Sequence, residues 1–220
     1  MSQVKIFCDF DGTITNSDNI ISIMKKFAPP QWEKIKDDVL TERVSIQEGV
    51  GRMFSLLSTD LKEEIVSYIL QTSKIRDGFD EFITYAKERG IPLYIVSGGI
   101  DFFVKPLLDG RIDEQFLYCN ESDFSGASIT ITWPHSCDDQ CRNACGCCKP
   151  SIIRQLATHQ DFKIVIGDSI TDLQAAKMAD VIIARDFLIE KCEELELPYR
   201  PFATFHDVIE HIEQIVEVRA

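Results

Sequence analysis

The chain has 220 residues, 45% hydrophobic and 27% charged, a balance that suits one large domain or a core carrying a smaller insertion. Its 23 basic and 36 acidic side chains give a formal net charge of −13 without any Lys/Arg cluster, so a nucleic-acid backbone would be repelled. No apolar run approaches the ~20 residues of a membrane span, and the N-terminus enters an apolar segment with no charged leader, so the expectation is a cytoplasmic protein without a membrane partner.

The first predicted element is a strand over Val4–Asp9, in "VKIFCDFDGTIT". From about Asn16 to Ile75 the chain holds helical patterns ("IISIMKKF", "IQEGVGRMFSLL", "LKEEIVSYIL") and no convincing strand, which suits an all-helical insertion after the first acidic loop. A helix over Phe79–Arg89 leads to a second strand, Ile91–Ser97, and a helix over Phe102–Leu108. Ala127–Trp133, "ASITITW", alternates like an exposed hairpin strand. It leads into a cysteine-rich loop, after which Pro150–Thr158 reads as helix, Phe162–Asp168 as strand, Thr171–Met178 as helix, Val181–Ala184 as strand and His206–Val218 as a closing helix. Continuous apolarity in the strands implies burial on both faces, and alternation with helices implies a parallel sheet between helical layers. Such sheets bind ligands at the carboxyl ends of their strands.

Those ends carry the chemistry. The first strand delivers Asp9 and Asp11, followed by Gly12, whose freedom lets the backbone turn sharply, and Thr13; the second delivers Ser97, Gly98 and Gly99; the third delivers Asp168 and then Asp172. Lys149 stands at a helix start beyond the cysteine loop. Residues two apart in a strand end project to one side, so Asp9 and Asp11 would share a cavity where like charges need a cation. Mg²⁺ suits carboxylate oxygens and a substrate phosphate, with Asp9 and Asp168 as the natural pair, and one carboxylate remains free for proton transfer.

Taken together, "DFDGT" at 9–13, Ser97 in "IVSGG", Lys149 in "CCKPS" and Asp168 with Asp172 in "GDSITD" resemble the haloacid dehalogenase superfamily of phosphatases, in the right order over the whole chain. The resemblance implies a three-layer α/β Rossmann-like core with a parallel sheet from residues 1–15 and 76–220, and a helical cap from residues 16–75. It implies Asp9 as the nucleophile, Asp11 as general acid and base, and Mg²⁺ held by Asp9, the Asp11 carbonyl and Asp168. Ser97, Lys149 and the Gly98 amide would bind phosphoryl oxygens, with Gly12, Thr13 and Asp172 in support. The implied partner is a small phosphorylated metabolite; oligomeric state stays open. Within the family, "SGGIDFFV" and the long cysteine loop are similar to the branch acting on an enol phosphate of methionine salvage, the alternatives being phosphoserine and phosphoethanolamine or phosphocholine phosphatases. Glu48 and Arg52 in the cap could grip an amino-acid zwitterion in the phosphoserine case. From another class, a receiver-like phospho-acceptor module would share the aspartate, serine and lysine but has no use for Asp11.

Five of the eight cysteines (Cys137, Cys141, Cys145, Cys147, Cys148) fall in "CDDQCRNACGCCKP". Read as C-x3-C-x3-C-x-C-C, they lack the paired C-x2-C knuckles of a zinc site. Reduced thiols packing a loop beside the active site are the favoured expectation, a structural Zn²⁺ and a labile disulfide the alternatives. The remaining cysteines, Cys8, Cys119 and Cys192, read as small core hydrophobes.

Overall fold

The computed structural model describes residues 3–219. Seven strands form one sheet in the order β4-β3-β2-β1-β5-β6-β7, with β1 (Val4–Cys8) at its centre, flanked by β2 (Leu93–Ile100) and β5 (Phe162–Gly167). β3 (Leu117–Asp123), β6 (Val181–Ala184) and β7 (Tyr199–Pro201) extend it in parallel, and only β4 (Thr130–Thr132) runs antiparallel, against β3.

Burial explains why these stretches form strands. In β1 the side chains of Ile6 and Cys8 enter the core on one face and Phe7 enters a second core on the other. β5 divides in the same way, with Ile164 and Ile166 on the first face and Val165 on the second. The first face is covered by α5 (Phe79–Glu88) and α10 (Phe205–Arg219), where Phe79, Phe82 and Phe205 stack in contact. α6 (Asp101–Leu108) adds Phe102, Phe103 and Val104 to the same core. The second face is covered by α7 (Lys149–Leu156), α8 (Leu173–Ala176) and α9 (Asp186–Glu194) through Ile152, Ile153, Ala175, Ala176, Leu188 and Cys192. Each fully buried Ile or Phe contributes about 1.5–3 kcal/mol, so neither face could be left bare.

After β1 the chain passes through α1 (Asn19–Phe27), α2 (Gln31–Leu40), α3 (Ile46–Phe54) and α4 (Lys62–Thr72) before returning to the sheet. Departure and return meet: Thr15 and Ile75 form an antiparallel bridge, Asn16 N–H donates to Lys74 O at 2.9 Å and Arg76 N–H to Ile14 O at 2.8 Å. The connection between β3 and β4 also touches this excursion, since Ile129 N–H donates at 3.0 Å to Leu57 O, in the segment between α3 and α4.

The expected strands all form, but three elements were not anticipated. β3 pairs in parallel with β2 and makes the expected exposed hairpin strand the sheet edge β4, which is shorter than Ala127–Trp133. β7 and α9 complete the opposite edge. The expected helix over Thr171–Met178 divides into a 3-10 turn at Ile170–Asp172 and the short α8. Ser97, Gly98 and Gly99 lie within β2 rather than in a turn after it, at a register irregularity between Val96 and Ile100 that bends the strand where its carboxyl end meets the site.

Candidate active site

The order of the sheet decides what converges. Because β1 is central and the chain moves first to one side and then to the other, its carboxyl end lies at the switch point between β2 and β5, the crevice where open α/β sheets place ligands. Asp9 follows β1, and its N–H is fixed by Ile166 O at 2.9 Å. Its carboxylate, 5% exposed, receives a hydrogen bond from Lys149 Nζ to Oδ1 at 2.5 Å. Lys149 opens α7 and bridges from Asp9 to the Asp172 carboxylate. Asp172 in turn accepts from the backbone N–H groups of Asp168 and Ser169 at 3.1 Å each, closing a capping box after β5. Thr13 Oγ1 donates to Asp168 Oδ1 at 2.8 Å.

Three acids therefore meet one base in a desolvated space. Oxygens of Asp9, Asp168 and Asp172 lie within 4.8 Å of one another. Burial and the neighbouring Asp172 charge push the Asp9 carboxyl above the usual range despite Lys149, and burial with Asp172 raises Asp168 to about 6. Lys149 is itself held charged by Asp172 and Asp9, which outweigh its burial. A small divalent cation would offset the remaining negative charge, and an all-oxygen donor set matches Mg²⁺.

The Asp11 side chain leaves this cluster. It accepts from Asn19 N–H at 3.1 Å and from Asn19 Nδ2 at 2.6 Å, at the first residue of α1, and its other oxygen faces Gly99 so closely that a Cβ there would sit 2.7 Å from it. Burial first, then the Asp18 charge, raises its carboxyl to about 7. Two carboxylates two residues apart thus occupy different environments. Gly12, at φ +82°, makes the intervening turn, and its Cα packs against the Asp168 carboxylate where no side chain could fit.

Ser97 is fully buried and accepts from Gly99 N–H at 2.9 Å, and Asn120 Nδ2 donates to Gly98 O at 2.8 Å, fixing the irregular end of β2 that carries the Gly98 amide. Glu48 and Arg52 pair with each other at 2.5 Å on an exposed face of α3, 46% and 54% exposed, and their only ion pair is this mutual one among the described residues. Three residues at the site had escaped the sequence reading: Asn19, Asn120 and Arg76. The Arg76 guanidinium donates to Thr13 O and Gly12 O at 2.7 Å each and to Thr15 O at 3.2 Å, clamping the loop behind Asp9 and Asp11. As a lone arginine between Ile75 and Asp77 it offered no sequence signal.

A carboxylate held by lysine at the end of the central strand, an acid two residues on with a separate environment, and a buried serine at the carboxyl end of the neighbouring strand define a phosphoryl-transfer hydrolase site. The family model for haloacid dehalogenase-like hydrolases matches residues 6–177, and the chain belongs to this family. Its similarity to particular members is high: it is 62% identical over 213 residues to the 2-hydroxy-3-keto-5-methylthiopentenyl-1-phosphate phosphatase of Geobacillus thermodenitrificans, covering 97% of each chain. It is 57% identical over 218 residues to the protein of the same name from Bacillus cereus strain B4264, covering 99% of this chain and 100% of the other. Among solved structures, a phospho-aspartyl intermediate analogue of phosphoserine phosphatase superposes with a TM-score of 0.70 at 18% identity, over 96% of this chain and 99% of that one. A phosphoserine phosphohydrolase-like protein from Francisella tularensis gives 0.69 at 20%, over 96% and 100%. These distant likenesses establish the fold.

Proposed function

We propose that this chain is a phosphomonoester hydrolase acting through a phosphorylated Asp9, with 2-hydroxy-3-keto-5-methylthiopentenyl-1-phosphate as its substrate in methionine salvage. The observation that carries the chemistry is the division of labour between Asp9, held by Lys149, and Asp11, held by Asn19 with its carboxyl near 7. The substrate follows from near full-length identity of 62% and 57% to two phosphatases so named.

An Asp9 oxygen attacks phosphorus as the bond to the leaving oxygen breaks, and Asp11 donates its proton to that oxygen. Asp11, now ionised, takes a proton from the water that attacks the phospho-Asp9, whose P–O bond to the carboxyl breaks to release inorganic phosphate. Lys149, Ser97 and the Gly98 amide bind the phosphoryl oxygens and neutralise their charge. Asp9, Asp168 and the Asp11 carbonyl would hold Mg²⁺, which when bound screens the anionic phosphate from the anionic nucleophile. Residues 16–75, attached through the bridge between Thr15 and Ile75, act as the cap that excludes water from the reacting centre. The Glu48–Arg52 pair satisfies itself, which favours a substrate without a zwitterion over phosphoserine.

A substrate panel of the enol phosphate, phosphoserine, phosphoethanolamine and sugar phosphates, compared by kcat/KM, tests this reading. The enol phosphate is expected to lead; a clear preference for phosphoserine would remove the substrate assignment. A second expectation concerns pH. Asp11 acts first as an acid, so the phosphorylation step is favoured below its value of about 7 and lost as pH rises through it. Asp11→Asn should lower kcat by about 10²–10⁴-fold and remove that alkaline limb from the pH profile. An unchanged limb in the variant would assign the proton to another group.

A further inference from the structure

The cysteine loop performs none of the steps above, yet its sulfurs are not scattered. Those of Cys137, Cys141, Cys145 and Cys148 all lie within 4.8 Å of one another, and Cys141 and Cys145 are 3.8 Å apart. A tetrahedral zinc ion with Zn–S bonds of about 2.3 Å places its sulfurs about 3.8 Å from each other. We propose that these four cysteines form a structural zinc site that fastens the active-site lysine to the body of the protein.

The competing explanations fit the geometry less well. Thiols that merely pack would be expected in an apolar core, but Cys137, Cys141 and Cys145 are half-buried and meet one another across an irregular loop. All are free thiols, and a single disulfide would leave two of the four sulfurs without a reason for converging. Selection within the loop is specific. Cys147 turns away and donates to Tyr118 O at 3.6 Å, while the His135 ring packs on Tyr118. Omitting Cys147 changes the spacing to C-x3-C-x3-C-x2-C, so the last pair, Cys145 and Cys148, is a C-x2-C knuckle with Gly146 inside it at φ +81°. Ala144, at φ +46°, turns the chain on the other side of Cys145.

The surroundings suit sulfur as an acceptor. Cys145 N–H donates to Cys137 Sγ at 3.4 Å and Ser151 Oγ to Cys148 Sγ at 3.0 Å, the kind of outer hydrogen bonds that orient thiolate ligands. With four thiolates there is no open position, so the site is structural rather than catalytic. Its location gives it a task. Cys148 immediately precedes Lys149 and its N–H is held by His135 O at 2.8 Å, while Ala144 O accepts from Gln47 N–H at 3.1 Å in the first turn of α3. One ion would therefore lock a loop that touches the helical insertion at one point and ends on the lysine at another.

Metal analysis of the whole protein, purified without chelators or added zinc, tests the proposal. One zinc ion per chain is expected, retained in Cys147→Ser and lost in Cys141→Ser. Replacement by cobalt(II) in the unaltered protein should give sulfur-to-metal charge-transfer and tetrahedral ligand-field bands, a readout that does not depend on any variant folding. Absence of bound zinc together with absence of those bands would overturn the site. So would equal loss of zinc from Cys147→Ser and Cys141→Ser with both variants folded.

Discussion

Asp9→Asn is expected to lower kcat by at least about four orders of magnitude while the protein remains folded. The amide keeps the shape of the carboxylate and can still accept from Lys149, but it offers no anionic oxygen to bond to phosphorus. Stability should hold or rise. Burial and Asp172 already push the Asp9 carboxyl above its usual range, which means that the folded state resists its ionisation. Removing this charge leaves Lys149 paired with Asp172 and reduces the excess of acid over base in a space where Asp9 and Asp172 are 5% and 1% exposed. Phosphate release and thermal melting, measured on the same preparation, check both halves. Turnover surviving in the variant at a substantial fraction of the original would remove Asp9 as the nucleophile; a large drop in melting temperature would show that the acid excess is not a strain on the fold.

The fold and the site were legible to different depths for physical reasons. β1, β2, β5 and β6 announce themselves because a strand buried on both faces must be apolar without interruption, and Ile6, Phe7 and Cys8 do divide between two cores. β3 is different: in "LYCNESD" only Cys119 and Asn120 are buried, so half of the strand is written in polar residues that read as loop. β7 is three residues ending on a proline, tolerable only at the sheet edge it occupies.

Acids at strand ends are legible because nothing in a core strand calls for them. Their supports are not. Asn19, Arg76 and Asn120 act through hydrogen bonds whose meaning depends on which distant backbone arrives beside them, as with Arg76 and the carbonyls of Gly12 and Thr13. The knuckle at Cys145 and Cys148 was obscured for a related reason. Cys147 interrupts it in sequence, and only its turn toward Tyr118 reveals which sulfurs belong together.

Lys149→Met should be the most damaging single change to stability, costing about 3–5 kcal/mol in metal-free buffer near neutral pH, and it should abolish turnover as well. Methionine preserves much of the volume but removes the cation bonded to both Asp9 and Asp172, which are almost completely buried. Two buried carboxylates would then confront each other without that counter-charge. The acid most exposed to that repulsion, Asp9, already has its proton affinity raised by burial and Asp172, and losing Lys149 raises it further. A carboxyl whose folded-state value lies above its unfolded value makes the folded state bind more protons, so stability falls as pH rises through the folded value. The deficit of the variant should accordingly be larger at about pH 8 than at about pH 5. Mg²⁺ should narrow it by binding the folded acid cluster, and should stabilise the variant more than the unaltered protein because more negative charge is left for it to offset. Urea unfolding at the two pH values, with and without Mg²⁺, measures all three effects. A variant as stable as its parent at the higher pH without metal would mean that Asp9 and Asp172 do not depend on Lys149 for their charge balance, and the electrostatic account of the site would have to be rebuilt around another cation.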